Sequence, residues 1–130
     1  MRDYKKYEIW KLGHHLALEV YKISERFPRE EIFGMTSQLR RAIISVNFNI
    51  VEGCGRGSDE DFKRMLTIAS GSSFEVDYAL LLSHDLGFIS DQDYAEISPK
   101  SEELKMKISK LILKIQEDID KKNKEKGNKK

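Results

Sequence analysis

The residues of this sequence that are of catalytic or metal-binding type are few: three histidines and a single cysteine. A di-iron site in a helix bundle needs inward-facing Glu-x-x-His pairs, and no histidine here has an acidic residue three positions before it. A zinc site needs several nitrogen or sulfur ligands close together, which His14, His15, His84 and Cys54 do not offer from their positions in sequence. We therefore expect no metal site, and we assign the histidines to surface or packing roles.

The segment Gly53–Gly57 (Gly-Cys-Gly-Arg-Gly) raises two further kinds of chemistry. A nucleophilic cysteine needs a neighbouring base, and no histidine stands near Cys54 in sequence. A phosphate-binding glycine loop follows a strand and carries Lys-Ser/Thr, whereas this one follows a helical pattern. We interpret the segment as a turn that ends a helix, with an inert loop cysteine. The sequence thus predicts no enzyme activity, no catalytic residue, no cofactor and no small-molecule substrate.

Charged residues stand among the apolar stripes of the second helical segment, where they are seldom left unpaired. Two interpretations stay open. In the first, Arg41, Asn49 and Glu52, with Arg56 after the helix, form a buried or interfacial polar network that fixes the helix in register. In the second, Arg40 faces solvent and contacts phosphate.

The formal net charge is +1, but the charge is unevenly spread, because residues 100–130 hold 11 lysines and 6 acidic residues. We expect residues 121–130 to form a disordered basic tail after a domain of residues 1–120. Basic residues near either end, together with Arg40 of the second helix, are candidates for phosphate contacts. The candidate nucleic-acid contacts are Lys5, Lys6, Lys11, Arg40, Lys121 and Lys122.

Four helices are predicted from apolar residues that recur every three or four positions. The first covers about residues 6–26, and the second runs from an N-cap at Thr36 to a stop at Gly53. The third begins at Ser58 and ends at Gly87, and the fourth begins after Ser90. Pro99 either kinks the fourth helix or starts a new one.

Short connections and the lack of strand patterns predict an all-α, antiparallel, up-and-down four-helix bundle. The first two helices carry a second apolar stripe beside the one that faces the core. A helix that is apolar on two faces needs a cover on both, so the pattern indicates self-association. The second stripe consists of Trp10, Ala17, Tyr21, Ile44, Phe48 and Val51.

The chain shows neither an apolar run of signal-peptide length nor one of the ~20 residues that a membrane span needs. One cysteine among 130 residues cannot form an internal disulfide, which suits a reducing compartment. We expect a cytoplasmic protein with no membrane partner.

An ordered set of residues from Phe27 to Glu75 resembles the 23S rRNA intervening-sequence proteins, also called four-helix bundle proteins. The set comprises Phe27-Pro28, Glu31, Gly34, Gln38-Leu39-Arg40-Arg41-Ala42, Ser45, Asn49-Ile50, Glu52-Gly53, Arg56, Ser58, Phe62, Leu66, Ala69, Gly71-Ser72 and Glu75.

The resemblance implies a bacterial four-helix bundle that assembles as a ring-shaped homopentamer. It also implies a distant relation to the accessory proteins of diversity-generating retroelements, which bind a reverse transcriptase and nucleic acid. Two functions follow as expectations. One is a non-enzymatic scaffold that associates with ribosomal RNA, another nucleic acid or a nucleic-acid enzyme. The other is a protein–protein interaction module that does not contact nucleic acid.

Overall fold

A computed structural model describes residues 2–128 of the chain, and four long helices account for most of them. They are α1 (Glu8–Ser24), α2 (Met35–Cys54), α3 (Asp59–Asp85) and α4 (Asp91–Asn128). Two short 3-10 turns, Tyr4–Lys6 and Arg29–Glu31, precede α1 and α2. No strand occurs in this part of the chain, so the predicted all-α class is confirmed.

The helices form a closed square in which each packs against the next along the chain and α4 packs against α1. Pairs of residues across α1 and α4 show that these two helices run antiparallel. Glu8 near the start of α1 pairs with Lys107, while Glu19 near its end pairs with Lys100. The packing gives an antiparallel bundle, as the short connections predict.

One continuous apolar core fills the space between the four helices. Each helix turns its main apolar stripe inward, which buries the side chains of that stripe wholly or in large part. The largest fully buried side chains are Phe62, Leu16, Leu39, Ile43, Ile50, Leu66, Leu80, Leu104, Ile108, Val20, Val46 and Val76.

The boundaries around α3 and α4 follow the predicted local signals. The Ser58 hydroxyl accepts a hydrogen bond from the Asp61 backbone N–H at 3.1 Å. The Ser90 hydroxyl does the same for the Asp93 N–H, also at 3.1 Å. Gly87 takes a φ of 83°, in the left-handed region that glycine tolerates best. Both predicted N-caps and the predicted stop are therefore confirmed.

The predicted ends of α2 are wrong at both residues. Thr36 is a buried residue inside the helix rather than its N-cap, because the helix begins one residue earlier. The carboxylate of Glu31 accepts a hydrogen bond from the Met35 backbone N–H at 3.2 Å. This bond satisfies one of the N–H groups in the first turn of α2 that have no partner within the helix. Gly53 is also inside the helix, which runs on to Cys54.

The last helix differs from the prediction at two points. It runs through Pro99 as a single helix, so the alternative in which Pro99 starts a new helix is wrong. It also continues to Asn128, where we expected a disordered tail, while residues 129 and 130 lie outside the described residues. The apolar stripe on α4 extends as far as Ile119, which is 8% exposed, and this packing carries the helix toward its end.

Asp59 fastens both ends of the described chain to the start of α3. Its carboxylate accepts from Arg2 and, at 2.7 Å, from the Lys122 ammonium. These hydrogen bonds and charges, that from Lys122 foremost, lower the pKa of Asp59. The pair with Lys122 links α4, two turns before its end, to the start of α3.

Helix α2 approaches α1 closely where Asn47 faces Gly13. The Asn47 side-chain amide donates to the Gly13 carbonyl at 2.9 Å. A Cβ at position 13 would lie 2.1 Å from Asn47 Oδ1, so only glycine fits there without a shift.

Among residues 2–128, no helix combines the length and apolar composition needed to cross a membrane.

Gly13→Ala should destabilise the bundle. Displacing the Asn47 amide costs about 1–3 kcal/mol for the lost hydrogen bond. The better helix propensity of alanine returns up to about 1 kcal/mol, which leaves a net loss of about 1 kcal/mol. Urea unfolding followed by circular dichroism measures this free energy. Gly71→Ala is the matched control, because a Cβ there meets nothing within 4 Å. It should raise the stability, and a loss as large as that of Gly13→Ala would contradict the steric argument.

Candidate assembly faces and nucleic-acid interface

An exposed aromatic surface covers the outer side of α1 and α2. Tyr4 packs edge-on against Trp10 with the ring centroids 5.2 Å apart. The His14 ring stacks on the Trp10 ring with the centroids 5.0 Å apart. Phe48 lies beside them with 71% of its surface exposed. We call these four residues and Val51 the aromatic face. All of them except His14 line a shallow depression of about 460 Å³. The predicted second stripe thus lies on the outside of the bundle.

A second exposed apolar surface lies on α3, next to α4, and shares no residue with the aromatic face. Phe74, Tyr78 and Leu81 recur along one side of the helix and are 55%, 61% and 41% exposed. The Lys105 ammonium of α4 lies over the Phe74 ring at 4.8 Å. We call these three residues the α3 face. Apolar patches of this kind usually mark protein interfaces.

The predicted polar network is not a single buried cluster within the chain. Glu52 pairs with Arg56 at 2.8 Å, and both side chains are exposed. Asn49 donates to the Ser45 carbonyl at 2.7 Å instead. Arg41 is exposed and makes no hydrogen bond or ion pair in the described part of the chain. These residues sit on the outer half of α2, which explains why no buried network forms. The interfacial form of the network stays a prediction.

Two predicted nucleic-acid contacts have structural partners. Arg40 Nε donates to the Ser24 hydroxyl at 2.8 Å, and its Nη2 donates to the Tyr21 carbonyl at 3.2 Å. Its guanidinium also lies over the Tyr21 ring, 4.6 Å from the centroid. Arg40 therefore ties α2 to α1, while Lys122 pairs with Asp59 as described above.

The other predicted lysines of the N-terminal region, Lys5, Lys6 and Lys11, are exposed. They do not line the basic groove that the structure shows between the start of α1 and α4, which is formed with lysines of α4 that were not predicted. This groove, which we call the lysine groove, has a volume of about 410 Å³. The sequence pattern that could have predicted the groove is the recurrence of Lys107, Lys110 and Lys114 at steps of three and four, which places them on one side of α4. The groove is lined by Tyr7, Glu8, Ile9, Lys107, Lys110, Leu111 and Lys114.

The candidates for catalysis and metal binding do not converge. Cys54 is the last residue of α2 rather than a loop residue, and it is 1% exposed. Burial raises the pKa of its thiol, which favours the unreactive protonated form. Within residues 2–128, no group of three His, Cys, Asp or Glu side chains is placed to hold a metal ion.

His84 joins the end of α3 to the start of α4. Its Nε2 lies 2.6 Å from a carboxylate oxygen of Asp91, and its Nδ1 lies 3.1 Å from one of Asp85. The ring stacks on Tyr94 with the centroids 4.5 Å apart. The hydrogen bond to Asp91 is the main reason that the pKa of His84 is raised above its ordinary value.

The raised pKa of His84 makes stability depend on pH. The contribution is complete below the unfolded-state pKa of about 6.5 and is lost as pH rises through the higher folded-state pKa. Thermal melts between pH 5 and pH 9 should therefore show a fall in melting temperature as pH rises above about 6.5, and His84→Gln should reduce this fall. His15→Gln, at an exposed histidine of α1, should keep the wild-type profile. Identical profiles for wild type and His84→Gln would refute the role of His84.

These features define a class: an all-α, antiparallel four-helix bundle with exposed apolar faces and a lysine-lined groove. The family model described as "23S rRNA-intervening sequence protein" matches residues 5–110. The chain belongs to this family, as the motifs from Phe27 to Glu75 indicate. The further relation to retroelement accessory proteins stays a hypothesis.

A solved structure supports the assignment. The chain is similar to a protein of unknown function from the S23 ribosomal protein family of Bacteroides thetaiotaomicron. The two share 25% sequence identity with a TM-score of 0.71, and the match covers 80% of this chain and 97% of the other. The comparison with curated proteins gave no match.

Proposed function

We propose that the chain is a non-enzymatic, homo-oligomeric helical scaffold that acts in the cytoplasm together with ribosomal RNA or another nucleic acid. The observation that carries the proposal is the presence of two separate exposed apolar faces on one bundle. Phe48 and Tyr78, at their centres, are 71% and 61% exposed. Burying such side chains against a partner returns about 1.5–3 kcal/mol for each.

The placement of the two faces favours a ring. The aromatic face and the α3 face use different residues, so contact between them joins unlike surfaces of neighbouring copies. A contact of this head-to-tail kind closes into a ring when its rotation allows. The family resemblance supplies the expected number of five subunits. Glu52 lines the same depression as Phe48, and Arg41 stands two turns before Phe48 on α2; we expect them to form the interfacial network there.

Nucleic-acid association is the part of the proposal that rests on the lysines. In a ring, each weak basic surface is repeated, and multivalency raises avidity by about 10²–10⁴-fold without a new contact. This offsets the near-neutral charge of +1 per chain. The family description and the likeness to a protein of the S23 ribosomal protein family favour RNA over other polyanions. The alternative is a protein–protein interaction module that uses the same apolar faces and does not contact nucleic acid.

Phe48→Glu should break the assembly. A carboxylate at the centre of a buried contact carries a desolvation cost of several kcal/mol, while in the isolated bundle it is exposed to water. Light scattering coupled to size exclusion at micromolar concentration should give a multiple of 15.1 kDa for wild type and a smaller mass for the variant. Leu113→Glu is the control, since Leu113 is 65% exposed on α4, outside both faces, and should leave the mass unchanged. A monomer mass for wild type would refute the scaffold.

A further inference from the structure

The lysine groove has an apolar floor and a basic rim. Its floor is formed by Tyr7, Ile9 and Leu111, which come from both sides of the α1–α4 contact. Ile9 is 3% exposed and belongs to the core, so the floor is held rigidly by the bundle. Tyr7 is fixed from behind, because its ring packs edge-on against Phe62 with the centroids 5.7 Å apart.

The charges on the rim are not all used within the chain. Lys107 pairs with Glu8 and with Glu103, so it is neutralised locally. Lys110 and Lys114 are exposed and make no ion pair or hydrogen bond in the described part of the chain. They stand one turn apart on α4, about 6 Å along the axis, and so present two ammonium groups at the same edge.

The shape of the groove selects among anionic ligands. An amphipathic acidic helix needs apolar anchors spread over two turns or more. Of the three floor residues only Tyr7 and Leu111 are partly exposed, since Ile9 is 3% exposed, so the accessible apolar area is small and suits a single planar base. Aromatic and apolar side chains beside lysines are the combination that single-stranded nucleic acid uses, with the base on the apolar surface and the phosphates on the cations.

We propose that the lysine groove binds single-stranded RNA, with one base against Tyr7 and Leu111 and the flanking phosphates at Lys110 and Lys114. This inference rests on the nucleic-acid association proposed above and assigns it to one place on the bundle. Lys6 and Lys11, one residue before and four residues after Tyr7 in sequence, are also exposed.

Fluorescence anisotropy of a labelled oligouridine of about ten nucleotides tests the site on the full-length assembly. The variant is Lys110→Ala/Lys114→Ala, at two exposed positions where the fold is not affected. It should lose roughly tenfold in affinity at about 50 mM salt. The slope of log affinity against log salt should become shallower by about 1.4, or 0.7 for each phosphate contact. An abasic oligomer of equal charge should bind wild type more weakly than oligouridine.

Lys124→Ala/Lys126→Ala removes the same charge from exposed positions nearer the end of α4, and it should retain most of the wild-type affinity and slope. Equal losses for both double variants would overturn the groove but leave the RNA association intact. No binding by wild type at low salt would overturn both. Equal binding of the abasic oligomer would exclude the base contact. Polyglutamate of the same length tests an acidic protein partner. If it binds wild type as tightly as oligouridine does and loses affinity in Lys110→Ala/Lys114→Ala, the groove binds such a partner instead of RNA.

Discussion

Helix α2 lies close against both of its neighbours because small and polar residues stand where the helices cross. Gly13 receives the Asn47 side chain from α2. On the other side, a Cβ at Gly53 would lie 3.0 Å from Phe62 Cδ1. The hydroxyl groups of Ser45 and Ser72 meet at 2.8 Å between α2 and α3. On the outer side of this tightly packed helix lies the ring of Phe48, with 71% of its surface exposed, as part of the aromatic face.

Sequence reasoning succeeded where the signal and its effect lie within a few residues. Ser58 and Ser90 cap helices through hydroxyls that bond a backbone N–H three positions later, and Gly87 ends α3 by its own φ. It failed where a distant group decides the outcome. Glycine commonly ends a helix, but at Gly53 the helix continues to Cys54. Glycine is needed at this position because a side chain would collide with Phe62.

The surfaces were predictable only in part for the same reason. A second apolar stripe beside the one that faces the core predicts an apolar outer face. The periodicity alone therefore predicted that Phe48 and Trp10 belong to such a face. The partner of a charged side chain depends on which helix lies beside it. Arg40 bonds to the Tyr21 carbonyl, and Lys110 and Lys114 border Tyr7, through contacts that follow from the antiparallel register. That register is set by the whole core, and no local pattern encodes it.

The double attachment at Asp59 has a geometric consequence for the two ends of the described chain. Because Arg2 and Lys122 reach the same carboxylate, both ends leave the bundle at one pole, beside the start of α3. A short peptide linker would be long enough to join them into a circular chain, and new ends could then open at the exposed turn around Leu86 and Gly87. In a ring of parallel copies, any domain fused to either end would crowd onto the same rim and leave the opposite rim bare.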